Sequence, residues 1–316
     1  MNEKVGKLMS KLTKKIPQAL ALFILVVLNA CSKETGSFFT GYKNQQLTKS
    51  SENSLKSYYS RIEKKKLSMG LLRQDGGGLD TPFDEDDIVA AFEKLAFYNE
   101  YTVGQNQLLP SSEQVSLGKW QSNINISAKF GSSVSTEQKD RDLKEIDDLI
   151  LVLSRASKHK IKRSKQDVNM YIIVGNQREI ADLVGQISVQ MSEFDPERTP
   201  IITQLPKEIH CLAMTSVSSK VSSRIESALV IIRSELPEVM RKACFHEEIA
   251  QSLGLTNDSH LARPSIFNDD DEFATLTKFD ELLIRILYDD RLKTGMSRLE
   301  ASELVHQIVN GLDKPL

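Results

Sequence analysis

Residues 244–258 read C-F-H-E-E-I-A-Q-S-L-G-L-T-N-D. Side chains three and four residues apart share a helical face. Phe245, Ile249 and Leu253 therefore fall on one face, and Glu247, Glu248 and Gln251 on another. Gly254 stops the helix, since glycine readily takes the left-handed conformation past a helix end. Upstream, Ser234 is the expected cap and Pro237 belongs inside the first turn, which predicts a helix over 236–253. Before it, Ala228-Leu229-Val230-Ile231-Ile232 is a nearly continuous apolar run, as in a strand covered on both faces. A buried strand feeding this helix, among further strands and helices, predicts an α+β domain.

The flanking chain supplies the other elements. Asp84 caps a helix whose Glu85, Asp86 and Asp87 suit the positive end of the dipole, with Ile88, Phe92, Leu95 and Ala96 at helical spacing. A strand opens at Trp120, and Ile124, Ile126, Ala128 and Phe130 alternate with polar residues. Periodicity predicts a helix over 137–157, a strand over 168–174, a short helix over 177–191, and strands over 209–217 and 225–232. Two helices follow, over 276–288 and 298–312.

The N-terminus reads as an address. Lysines at 4, 7, 11, 14 and 15 precede an apolar run over 19–28, too short to span a bilayer and of signal-peptide proportions. Leu28-Asn29-Ala30-Cys31 resembles the lipobox of bacterial lipoproteins. That resemblance implies a signal peptide over 1–30, acylation of Cys31 and a lipid bilayer as partner. Ser32, where aspartate would retain the protein at the inner membrane, implies a periplasm-facing place on the outer membrane. Residues 31–79, rich in Ser, Lys, Gln and Gly, read as a flexible tether with a short helix over 54–66 and a joint at Gly76-Gly77-Gly78. The domain then occupies 80–316. The chain has 41 basic and 43 acidic residues; residues 1–30 hold five of the basic and one of the acidic, so 36 stand against 42 afterwards. A net acidic domain excludes nucleic acid as the main partner.

Three stretches in order resemble the metzincin type of zinc peptidase. Glu247, Glu248, Gln251, Gly254 and Asn257 overlay H-E-x-x-H-x-x-G-x-x-H; Pro264 to Asn268 resembles the turn under the metal, with Phe267 in the methionine's place; Leu276-Thr277, Asp280, Ile284 and Leu287-Tyr288 match the following helix. The chain from about Gly70 to Met296 is similar to the domain of unknown function 2927 family of proteobacterial lipoproteins. Gly70 to Arg73, Phe97 to Tyr101, Cys244, Asn257-Asp258-Ser259 and Phe267 to Asp270 carry that likeness, which implies no established activity.

The metzincin resemblance implies a zincin-like α+β domain, a mixed sheet packed against an active-site-type helix, with Glu248 as general base and Glu247, Gln251 and Asn257 or Asp258 as metal ligands. Such an oxygen set prefers Ca²⁺, Mg²⁺ or Mn²⁺ to zinc. His246 and His260 fall beside these positions as outer-shell candidates. The acidic run at 268–272 lacks the spaced ligand order of a calcium loop and reads as solvated. With Cys31 assigned to lipid, Cys211 and Cys244 remain as a candidate disulfide for an oxidising compartment. Two functions follow. The first is an envelope lipoprotein whose degenerate cleft binds a protein or peptide partner or serves a structural role, with no cofactor. The second is a metal-dependent hydrolase holding a divalent ion.

Overall fold

A computed structural model describes residues 49–103, 108–188, 191, 202, 205–219 and 222–312. The expected signal peptide, Cys31 and the start of the tether lie outside the described residues. The helices are α1 (Lys49–Ser68), α2 (Glu85–Ala96), α3 (Thr136–Ser157), α4 (Gln177–Ser188), α5 (Glu238–Gln251), α6 (Lys278–Leu287) and α7 (Arg298–Asn310). The strands are β1 (Tyr101–Val103), β2 (Leu108–Pro110), β3 (Lys119–Trp120), β4 (Ile124–Phe130), β5 (Ile161–Arg163), β6 (Met170–Gly175), β7 (Cys211–Val217) and β8 (Arg224–Arg233). Among the described residues no helix is long and apolar enough to cross a membrane.

The main sheet runs β3-β8-β6-β4-β5, all parallel, with β7 added antiparallel to β8. The run at 228–232 forms the middle of β8 and is buried on both faces, because its side chains alternate between two cores. Ala228, Val230 and Ile232 join the larger core, with Phe245 and Ile249 of α5, Ile146 of α3 and Leu283 of α6. Leu229 and Ile231 join the smaller core under α4, with Ile180 and Val184. The mixed α/β architecture follows the sequence reading. One expected strand is divided: β3 stops at Trp120, and β4 begins at Ile124. The hairpin β1–β2 and the short strand β5 carry too few periodic residues to be foreseen.

The tether reading needs correction from residue 49 onward. Helix α1 is part of the fold. Its Tyr59 is fully buried, donates from Oη to the Lys207 carbonyl at 2.9 Å, and stacks edge-on against His210. Past it, the backbones of Leu72 and Arg73 donate to the carbonyls of Asp271 and Glu272, and Ala274 N–H returns a bond to Arg73. The expected flexible joint lies in this docked segment, where a Cβ on Gly77 would meet the Thr81 hydroxyl at 3.0 Å and Pro264 at 3.6 Å. A polar, lysine-rich helix hid its docking because it buries only single residues of each turn.

The start of α5 also differs from expectation. Pro237 occupies the cap position and offers no side-chain acceptor. Glu63 of α1 takes over, its Oε2 accepting from Val239 N–H and Met240 N–H at 3.0 Å each. A carboxylate there suits both the free amides and the dipole. Ser234 instead pairs its hydroxyl with Ser133 at 2.9 Å.

Candidate functional site

Helix α5 is stopped by a close approach of two backbones. Gly254 has φ +126°, and a Cβ there would lie 2.1 Å from the Gly118 carbonyl oxygen, so no other residue fits. Trp120 Nε1 and Tyr288 Oη donate to the carbonyls of Ser252 and Leu253, at 2.8 and 3.1 Å. The chain then doubles back, and Gln251 Nε2 donates to Asp258 Oδ1 at 2.8 Å. Glu100 N–H donates to the Thr256 carbonyl at 3.2 Å, and the Thr256 hydroxyl to the Tyr98 carbonyl at 3.1 Å. These bonds carry Glu100 to the end of α5.

The following turn is fixed from beneath. Asp280, fully buried at the start of α6, accepts from Ile266 N–H at 3.1 Å, Thr277 N–H at 2.8 Å and the Ser265 hydroxyl. Burial pushes its carboxyl up to about 6, against the pull of those bonds. Phe267 is fully buried inside the turn.

Four carboxyl groups interact at the resulting site: Glu100, Glu247, Glu248 and Asp258. Burial raises the Glu100 carboxyl to about 7. It pushes Glu247 well above the usual range, reinforced by the charge of Glu248 and then of Glu100. Glu248 is raised by burial and then by Glu100 and Asp258, although the Ala213 N–H of β7 donates to it. Asp258 is raised by burial and by Glu247 and Glu100, against the bond from Gln251. Tyr101 donates to Glu100, and its own phenol is raised by burial and that carboxylate. Like charges in a poorly solvated place hold protons or attract a cation.

Cys211 and Cys244 form a disulfide with Cα atoms 5.9 Å apart, fastening the start of edge strand β7 to α5. Cys211 Sγ and one oxygen each of Glu247 and Glu248 lie within 4.8 Å of one another.

Other sequence candidates stand apart. Asn257 turns away and donates from Nδ2 to the Lys94 carbonyl at 3.1 Å, so its amide is committed to the end of α2 rather than to Gln251. His246 lies on the α3 side of α5. Its Nδ1 accepts from Leu276 N–H at 3.0 Å, which leaves Nε2–H to donate to Glu145 at 2.9 Å; both ring nitrogens serve helix packing. His260 is exposed. Sequence reasoning missed Glu100 and Tyr101 as site residues; Glu100 lies in the bend before β1 and Tyr101 opens that three-residue strand, too short for a period. Their signals are a carboxylate set between Tyr98 and Tyr101 just after a helix end and the family likeness of Phe97 to Tyr101.

No curated protein and no solved structure matches the chain. One family model does, over residues 85–307, well beyond half of the sequence and spanning α2 to α7. The chain belongs to the family described as protein of unknown function (DUF2927).

Proposed function

We propose that this protein is an outer-membrane lipoprotein, acylated at Cys31 and facing the periplasm, whose domain keeps a metzincin-like frame and binds a partner instead of hydrolysing one. The lipobox-like residues support the anchor. The order of elements supports the frame: a strand, α3, further strands, α5 ending at Gly254, the Pro264 turn and α6.

The zinc implied by that frame does not fit these residues. The Gln251 amide nitrogen is directed at Asp258, Asn257 is tied to α2, and none of the overlaid ligand positions carries a histidine. The hydrolase reading also asks Glu248 to be a free carboxylate, whereas burial and its neighbours favour its protonated form.

The observation that carries the binding reading is the convergence of Glu100, Glu247, Glu248 and Asp258. Among the described residues, Lys66 is a cation whose charge reaches Glu247, and it is engaged in an ion pair with Asp271. A lysine or arginine side chain of a protein or peptide would supply the missing positive charge. The test is calorimetric titration of the purified, oxidised chain with a short lysine-rich peptide and its fully acetylated form. Binding of the first only, lost in Glu247→Gln, is expected. Equal behaviour of the two peptides sinks the reading. Cleavage of the peptide, abolished in Glu248→Gln, would establish the hydrolase instead. The anchor is tested separately: Cys31→Ala should abolish incorporation of labelled palmitate and release the protein from the membrane fraction.

A further inference from the structure

We propose that the Cys211–Cys244 disulfide masks a zinc-class metal site, formed by Cys211, Glu247 and Glu248 when the bond is reduced. Cys244, Glu247, Glu248 and Gln251 occupy positions i, i+3, i+4 and i+7 of α5, hence one face. Strand β7 lies across that face, held by the disulfide and by the bond from Ala213 N–H to Glu248. This brings one sulfur and two carboxylate oxygens from three residues within 4.8 Å of one another. Ligand atoms around a tetrahedral zinc, with bonds of about 2.0–2.3 Å, stand roughly 3.3–3.8 Å apart. The trio therefore needs to contract by about an ångström, within the reach of side-chain rotation.

The donor chemistry decides when a metal can enter. A disulfide sulfur is a poor ligand; a thiolate is a strong one for zinc and related borderline ions. One thiolate with two carboxylates gives three protein ligands and an open fourth position. This set is distinct from the metzincin-like positions that fail to fit zinc, because it replaces the Gln251 and Asn257 amides with the Cys211 sulfur.

The gating step balances with an external dithiol, the class of a reduced protein carrying two neighbouring thiols. Its thiolate attacks one sulfur of the pair and forms a mixed disulfide. Its second thiol resolves that bond and leaves as a disulfide, transferring two electrons. Cys211 and Cys244 each take up a proton. The metal ion then displaces the proton from Cys211 Sγ into solvent. Because the metal binds only the reduced form, a hundred-fold excess over its dissociation constant favours the dithiol a hundred-fold, about 59 mV.

The proposal rests on the reading of this face as one that attracts cations, but its test is separable. Peptide binding by the oxidised chain probes that reading; metal binding by the reduced chain probes this one. The full chain bearing Cys31→Ala, to remove the third sulfur, is titrated with Co²⁺ and then Zn²⁺. Oxidised protein should show no sulfur-to-cobalt charge-transfer band. After phosphine reduction one cobalt per chain should bind with that band, displaced by one zinc. Cys244→Ser frees Cys211 and should bind without reductant; Cys211→Ser should show no band under either condition. Glu247→Gln should weaken binding at least ten-fold. Absence of the band in both reduced protein and Cys244→Ser overturns the proposal, as does a band that survives in Cys211→Ser. Loss of the native circular dichroism spectrum on reduction overturns it equally, since the site requires the fold.

Discussion

On the side of α5 turned to α3, opposite charges meet. Arg241 Nε donates to Asp142 Oδ1 at 3.0 Å in a fully buried pair, and Lys242 lies 3.3 Å from Glu145, which also accepts from His246. The His246 bond leads the effects that hold the Glu145 carboxyl below its usual range. On the side turned to β7, like charges meet: Glu247 and Glu248 face Glu100 and Asp258, and all four carboxyls are pushed upward. One helix thus carries a face that holds the domain together and a face that loads it. Buried like charges cost free energy that the fold does not recover internally. Their concentration on one face is what the proposed cationic partner would relieve.

The sharpest way to break the contrast is to unpair the first face. Arg241→Ala leaves Asp142 buried without its partner and should cost about 3–5 kcal/mol. Thermal unfolding should shift down by on the order of 10 °C. A shift of only a degree or two would show that this face does not carry stability as described.

Closing the second face comes next. Gly254→Ala puts a methyl into the Gly118 carbonyl and should cost roughly 2–3 kcal/mol in denaturant unfolding. Because Gly254 starts the segment that brings Asp258 to Gln251, peptide binding should fall as well. Stability lost with binding intact would uncouple the turn from the site.

The two faces should also respond with opposite signs. Glu248→Gln keeps an acceptor for Ala213 N–H and removes a crowded charge, so it should stabilise the chain by about 1 kcal/mol at pH 8. Unchanged or lower stability would show that Glu248 already holds a proton at that pH.

The finest test is pH. The Glu100 carboxyl is raised to about 7, so the folded chain retains a proton that the unfolded chain releases near 4.5. The stability this contributes is full below about pH 4.5 and is lost as pH rises through 7. Wild type and Glu100→Gln should therefore diverge with rising pH, the variant becoming the more stable by on the order of 1 to 3 kcal/mol at pH 8. Parallel melting curves from pH 5 to 8 would remove Glu100 from the cluster.

The contrast was only half legible in the sequence. The helix, its Gly254 stop and the Glu247, Glu248 and Gln251 face follow from a period of 3.6 and a single glycine, both local signals. The Asp84 cap is local too, and it forms. The partners of those faces are not local. Glu100 reaches the site through one backbone bond to Thr256, and Glu63 reaches the start of α5 from more than 170 residues upstream. Neither distance leaves a periodic trace. Asn257 shows the opposite failure: its motif position is right, but its amide is bound by the Lys94 carbonyl. Register specifies where a Cα lies, whereas the available acceptors specify where a side chain turns.

The carboxylate of Glu63 has a mechanical consequence. Helix α1 is grafted onto the domain at both its ends and its middle, through Glu52 to Asn176, Tyr59 to Lys207, Glu63 to α5 and Lys66 to Asp271. Tension on the chain ahead of Lys49 therefore enters the domain through this helix. Peeling it from that end would break the Glu52 and Tyr59 bonds and then strip the acceptor from the Val239 and Met240 amides. The amino end of the helix that bears the acidic cluster would then lose its only described side-chain cap, so α1 steadies that helix from outside the site.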